Sequence, residues 1–200
     1  MRSKPGTLLC LAFFYARGMS RNALIVIDVQ QGFDQLEYWG PRNNPACEDN
    51  IRALLKKWRA SGQPVVLVRH DSAGPQSPLR PGQPGNDFKP GIDGPHDLLI
   101  AKTVNSAFYG EPDLDAWLTA SEITDVTICG ITTNHCCETT ARMAGNLGYD
   151  VTFVLDATHT NDRIDVDGNV IPAADIARTT GANLHGEFAT VRSTAEVLAG

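Results

Sequence analysis

The sequence predicts an α/β fold, a three-layer α/β/α sandwich around a mainly parallel sheet, and three observations carry that prediction. Short, nearly continuous apolar runs such as ALIVIDV (23–29), PVVLVRH (64–70), DVTICGI (125–131) and DVTFVLDA (150–157) have the character of strands covered on both faces. Segments with apolar residues at helical spacing separate them. Strand and helix follow each other in turn, which requires right-handed crossovers and places helices on both faces of the sheet.

Each element has its own reason. Residues 1–18 have a basic start and an apolar run from Leu8 to Tyr15. That run is shorter than the roughly 20 apolar residues of a bilayer span. Arg17 and Arg21 follow it rather than a small-x-small cleavage site, and Met19 opens MSRNALIVID. Residues 1–18 therefore read as an upstream extension or a misassigned start, and 19–200 as one domain. After the first strand, CEDNIRALLKKWRASG (47–62) carries Ile51, Leu54, Leu55 and Trp58 on one helical face and stops at Gly62. The Pro- and Gly-rich stretch 71–96 breaks the alternation and reads as a surface excursion, or as a lid or oligomer contact. LLIAKT (98–103) is a short strand, and PDLDAWLTA (112–120) a short helix with Leu114, Trp117 and Leu118 on one side. Two further helices are predicted over 134–148 and 173–186, and a last strand in EFATVR (187–192).

Composition excludes several classes. A chain of 200 residues with 42% hydrophobic and 20% charged residues suits a single globular domain. A formal net charge of −6 with no basic stripe argues against nucleic acid, and no run is long enough to span a membrane. The five cysteines (Cys10, Cys47, Cys129, Cys136 and Cys137) are odd in number and contain no C-x-x-C pair. That pattern indicates a reducing compartment, so a cytoplasmic protein is expected.

Ligands of an open parallel sheet bind beyond the carboxyl ends of its strands. Three reactive residues fall there: Asp28 ends the first strand, Lys102 follows LLIA, and Cys136 follows TICGITTNH. Singly, each has an ordinary structural use, as a turn cap, a solvated charge or a small core residue. Together they bring an acid, a base and a thiol to one edge. Thr132, Thr133 and Asn134 are suited to cap a helix starting near residue 134, which puts Cys136 in its first turn. Backbone N–H groups there and a nearby ammonium favour the thiolate, lowering a thiol from its usual value of about 8.5. The same N–H groups can receive an oxyanion. Cys137 points about 100° away around the helix and is expected to pack against the sheet. Phe33, Trp39, Phe108, Tyr109, His135 and His159 lie near strand ends; Phe33, Phe108 and His135 are the candidates for substrate contact.

ALIVIDVQQGF, AKTVNSAFYG, GITTNHCCETTARMAGNLGYDV and VLDATHT together resemble the isochorismatase-like cysteine hydrolase superfamily from Ala23 to Gly200. The third segment is the most specific, with Gly130, Thr133, Cys136, Thr140 and Ala141 in register. The resemblance implies a catalytic triad of Asp28, Lys102 and Cys136, a cis peptide before Thr132, and an oxyanion hole from the backbone N–H groups of Thr132 and Cys136. It implies a cysteine amidohydrolase that cleaves a C–N bond of a small amide, lactam, ureide or imide through a thioester, without a cofactor. It also implies a homo-oligomer, a dimer or tetramer.

The metal-dependent nicotinamidase branch carries an Asp-x-His and a further His after the second strand. Here the segment reads VRHDSAGPQSPLRPG, so no metal is expected and His70 reads as a hydrogen-bonded structural histidine. The segments are most similar to the branch containing streptothricin-lactam hydrolases. Ether hydrolysis of the isochorismatase type, disfavoured by Cys136, and a thiol redox protein using Cys136 and Cys137 are the alternatives. Gly110-Glu111-Pro112 departs from the Gly-Thr of many relatives.

Overall fold

The computed structural model describes residues 21–200, so the reading of residues 1–18 and Cys10 lies outside the described residues. In chain order the elements are β1 (Asn22–Ile27), α1 (Leu36–Trp39), α2 (Cys47–Ser61), β2 (Val65–His70), β3 (Leu98–Lys102), α3 (Leu114–Ala120), β4 (Asp125–Ile131), α4 (Glu138–Asn146), β5 (Asp150–His159), the small hairpin strands β6 (Arg163–Ile164) and β7 (Val170–Ile171), α5 (Ala173–Leu184), β8 (Thr190–Arg192) and α6 (Thr194–Ala199).

Six strands form one sheet in the order β3-β2-β1-β4-β5-β8, every pair parallel. β1 is buried on both faces, which explains why its sequence is continuously apolar rather than alternating. Ala23, Ile25 and Ile27 face a core shared with Leu114 and Leu118 of α3, Ala141 and Ala144 of α4 and Leu184 of α5. Leu24 and Val26 face the opposite core, filled by Cys47, Ile51, Leu54, Leu55 and Trp58 of α2. α2 ends at Gly62 in the left-handed conformation (φ 65°), as its sequence requires.

The chain leaves β1 toward β2 and β3, then crosses back to β4 on the other side. The strand order therefore reverses between β1 and β4, the place where an open parallel sheet forms its crevice. Gly130 makes that crossing tight. Its φ is 135°, and a Cβ there would lie 2.1 Å from the Ile27 carbonyl oxygen.

Segment 71–96 packs down instead of standing away from the sheet. Leu79, Asn86 and Ile92 are buried. The Asn86 side-chain amide donates to the carbonyls of His70 (3.1 Å) and Leu79 (2.9 Å), and the Asn86 backbone carbonyl accepts from Gln30 Nε2 (2.8 Å). A Cβ on Gly85 would come within 2.2 Å of the Pro78 carbonyl, so this segment closes on itself only with glycine there.

Candidate active site

Asp28 follows β1 directly, with φ 53°, and is fully buried. Its backbone N–H donates to Val68 O (2.8 Å) and its carbonyl accepts from Gln30 N (2.8 Å), which fixes the turn that holds the carboxylate. Lys102, the last residue of β3, reaches past the end of β2 and donates from Nζ to Asp28 Oδ2 at 2.6 Å. The same Nζ lies 3.1 Å from His70 Nδ1. Cys136 Sγ joins them: its sulfur, an Asp28 oxygen and a His70 ring nitrogen all lie within 4.8 Å of one another. The structure thus brings Asp28, Lys102 and Cys136 together at the point where the strand order reverses.

The turn that carries Cys136 differs from the one expected. Thr133–Cys137 is a turn of π-helix that runs into α4, and Thr132, Thr133 and Asn134 do not cap it with their side chains. Thr133 Oγ1 instead donates to Thr158 Oγ1 (2.8 Å), and Asn134 Oδ1 accepts from Thr160 Oγ1 (2.6 Å). These hydroxyls tie the turn to the end of β5. The peptide bond between Ile131 and Thr132 is cis, as the resemblance implies; a second cis bond, Glu111–Pro112, occurs where the sequence departs from Gly-Thr.

The thiol is also not poised as a thiolate. Burial pushes the Cys136 thiol well up, the Asp28 carboxylate pushes it further, and the Lys102 ammonium only partly offsets them. The sulfur lies deep enough that a low dielectric penalises the anion more than the helix end favours it. Lys102 itself is held above its ordinary value: burial lowers it, but Asp28 and Cys136 raise it more. Cys137 is fully buried in the core, as expected.

A cavity of about 100 Å³ opens on this cluster, lined by Asp28, Phe33, Trp39, His70, Leu79, Asn105, Thr132, His135 and Cys136. Phe33 stacks on Trp39 with centroids 4.7 Å apart. Phe108 does not reach the cavity; it sits in the core with its ring 6.0 Å from Tyr149, because the segment Ala107–Tyr109 turns that side chain inward. Tyr109 is exposed and His159 is buried behind Phe33. Sequence reasoning missed Asn105, which accepts from the Cys136 thiol at 3.7 Å, and Leu79 from the proline-rich segment. It read His70 correctly as hydrogen-bonded but not as a wall of the site. A larger groove of about 810 Å³ between α5, β8 and α6 contains none of these residues.

Asp28, His70 and Cys136 are of the residue types that ligate metal ions. The Lys102 ammonium, which donates to Asp28 Oδ2 and lies 3.1 Å from His70 Nδ1, puts a positive charge beside this set and disfavours a cation there. Among the described residues no helix is long and apolar enough to cross a membrane.

Comparison with known proteins identifies the family. The isochorismatase domain model matches residues 22–196. The isochorismatase family protein YrdC of Bacillus subtilis, itself uncharacterised, is 42% identical over 180 residues, covering 89% of this chain and 95% of that one. A streptothricin hydrolase from Streptomyces noursei is 33% identical, over 80% of this chain but 55% of its own length. The ureidoacrylate amidohydrolase RutB of Stutzerimonas stutzeri is 29% identical, covering 70% of each chain. A crystal structure from Chromobacterium violaceum, described as a hydrolase of the isochorismatase family, superposes with a TM-score of 0.85 at 40% identity, covering 91% of this chain and 94% of that one. With the parallel sheet, the reversal point and the matched span in agreement, the chain belongs to the isochorismatase family of hydrolases.

Proposed function

We propose that this hydrolase is a cysteine amidohydrolase that cleaves the C–N bond of a small amide, lactam, ureide or imide through a thioester on Cys136. The observation that carries the reading is the buried contact of Lys102 Nζ with Asp28 Oδ2 at 2.6 Å, with the Cys136 sulfur in the same cluster. Relatives named as an amidohydrolase and a streptothricin hydrolase support the same class.

Burial and the Asp28 carboxylate raise the Cys136 thiol above its ordinary value, so attack calls for a base at the moment the S–C bond forms. Asp28 takes the thiol proton as Cys136 adds to the carbonyl carbon, and the backbone N–H groups of Thr132 and Cys136 receive the oxyanion. Asp28 then returns that proton to the leaving nitrogen, and the C–N bond breaks. A water enters, Asp28 removes one of its protons, and hydroxide adds to the thioester. The tetrahedral adduct expels the sulfur, which is reprotonated from Asp28. Lys102 keeps the carboxylate in place and balances the negative charge at each stage. Streptothricin-lactam hydrolysis is one specific form of this chemistry.

The test is a screen for ammonia or amine release over amides, ureides, imides and lactams, run on the wild type and on Cys136→Ala. Removing the nucleophile lowers turnover of any active substrate by about a thousandfold or more. Undiminished turnover in Cys136→Ala defeats the proposal, and hydrolysis confined to ethers favours the isochorismatase-type alternative.

A further inference from the structure

Two histidines in the cavity wall have one ring nitrogen occupied by a cation. Lys102 Nζ lies 3.1 Å from His70 Nδ1, and Arg163 Nη2 lies 3.2 Å from His135 Nδ1. An ammonium and a guanidinium can only donate hydrogen bonds, so both Nδ1 atoms act as acceptors and carry the lone pair. The single proton of each neutral ring is then on Nε2. Burial and the neighbouring cation lower both rings below the ordinary histidine value, with Asp28 and Asp71 opposing this at His70 and Glu138 at His135. Neither Nε2 donates to a protein group among the described residues, while both residues line the cavity. The wall therefore presents two neutral N–H donors.

The rest of the lining limits what can meet them. Asp28 is the one carboxyl side chain in that lining, and the Lys102 ammonium pairs with it. A charged substrate group would lose its hydration there with no counter-ion. Phe33 and Trp39 offer a flat apolar surface. Under the proposed mechanism, on which this inference rests, the scissile carbonyl oxygen goes to the backbone of Thr132 and Cys136. His70 lies at the Asp28–Lys102 end of the cavity, and His135 adjoins Cys136 in the chain. A substrate without another acceptor leaves the His135 N–H buried and unpaired, a penalty on which binding sites discriminate strongly.

We infer that His135, held in one tautomer by Arg163, is a specificity-determining donor that selects uncharged substrates with a second carbonyl beside the scissile amide, imides and ureides over lactams of the same size. Arg163, the first residue of β6, is the positioning residue. This gives the β6–β7 hairpin a part in the site that its distance in sequence from Cys136 conceals.

Succinimide and 2-pyrrolidinone differ by one ring carbonyl and make the comparison direct. Binding of each, and of the succinamate anion, is measured by calorimetry to Cys136→Ala, which holds the probes without turning them over. Succinimide binds about tenfold more tightly than 2-pyrrolidinone, and succinamate binds more weakly than succinimide. Adding His135→Leu brings the ratio of the two ring probes close to one, whereas His135→Gln, which keeps an N–H at similar reach, preserves most of it. In ¹⁵N NMR of the wild type, His135 shows a protonated Nε2 and a bare Nδ1; Arg163→Met mixes the two tautomers. Equal affinity for the ring probes, no succinimide binding at millimolar concentration, a ratio unmoved by His135→Leu, or a protonated Nδ1 in the wild type each overturns the inference. These readouts need no turnover, so failure of the amide screen tells against the mechanism and leaves them standing on their own.

Discussion

Replacing Asp28 with Asn removes one negative charge while keeping the shape of the side chain, and the structure sets the size of the effect on Cys136. The carboxylate and the sulfur lie within 4.8 Å of each other. At that separation, with the effective dielectric of about 20 that suits partly buried pairs, two unit charges repel by about 3 kcal/mol. The Asp28→Asn thiolate is relieved of that repulsion and keeps Lys102 beside it. Its population at neutral pH rises by about a hundredfold, since about 1.4 kcal/mol is a factor of ten. Alkylation by iodoacetamide, followed by mass mapping of the peptide containing Cys136, reads this directly. Asp28→Asn is alkylated much faster than the wild type yet hydrolyses amides far more slowly, having lost the group that moves the proton. Lys102→Met shifts alkylation the opposite way. Equal or slower alkylation of Asp28→Asn would refute the reasoning, because Asp28 would then not act on the sulfur.

Three further outcomes follow from the fold around the site. Glu48 holds Arg42 through both of its oxygens (2.7 and 2.8 Å) and Lys89, which is 4% exposed, at 2.6 Å. Glu48→Gln leaves Arg42 without a carboxylate and Lys89 with Asp34 alone (2.6 Å), and costs about 3 kcal/mol in urea unfolding; a loss under about 1 kcal/mol contradicts the network. His159 is fully buried with neither ring nitrogen hydrogen-bonded among the described residues, and burial pushes it down to about 3. Its folded value lies below its unfolded value, so its contribution is intact above about pH 6.5 and is lost as pH falls toward about 3. His159→Phe flattens the decline of stability across that window in urea unfolding at stepped pH, and an unchanged slope rejects the assignment. Gly130→Ala places a methyl 2.1 Å from the Ile27 carbonyl at φ 135°, and lowers Tm by about 10 °C or more or prevents soluble expression. Wild-type melting behaviour in that variant would show the β1–β4 crossing to be looser than described.

The main strands were legible because a parallel sheet covered on both faces leaves continuous apolar runs, as in Leu24–Ile27 and Val65–Val68. Asp28, Lys102 and Cys136 were legible for a related reason: each is a polar or nucleophilic residue just where such a run ends. The π-helical turn over Thr133–Cys137 was not, because the partners of Thr133 and Asn134 are Thr158 and Thr160, more than 20 residues away. Helix α6 had a readable signal that went unused, the capping box formed by Ser193 and Glu196. At Cys136 the sequence shows a helix end but not the burial that raises the thiol. No local signal separates a cavity wall from the core beside it, where Phe108 packs. Asn105 and Leu79 come from irregular segments whose positions depend on long-range packing, such as the Asn86 hydrogen bonds that seat residues 71–96.

The covalent step can be observed directly. Intact-protein mass spectrometry of wild-type enzyme, quenched during turnover of whichever amide the screen identifies, shows an added mass equal to the acyl fragment. Hydroxylamine removes that mass, peptide mapping places it on Cys136, and Cys136→Ala never acquires it. Steady turnover with no such adduct in the wild type, together with the same turnover in Cys136→Ala, would mean that the sulfur takes no part in bond cleavage.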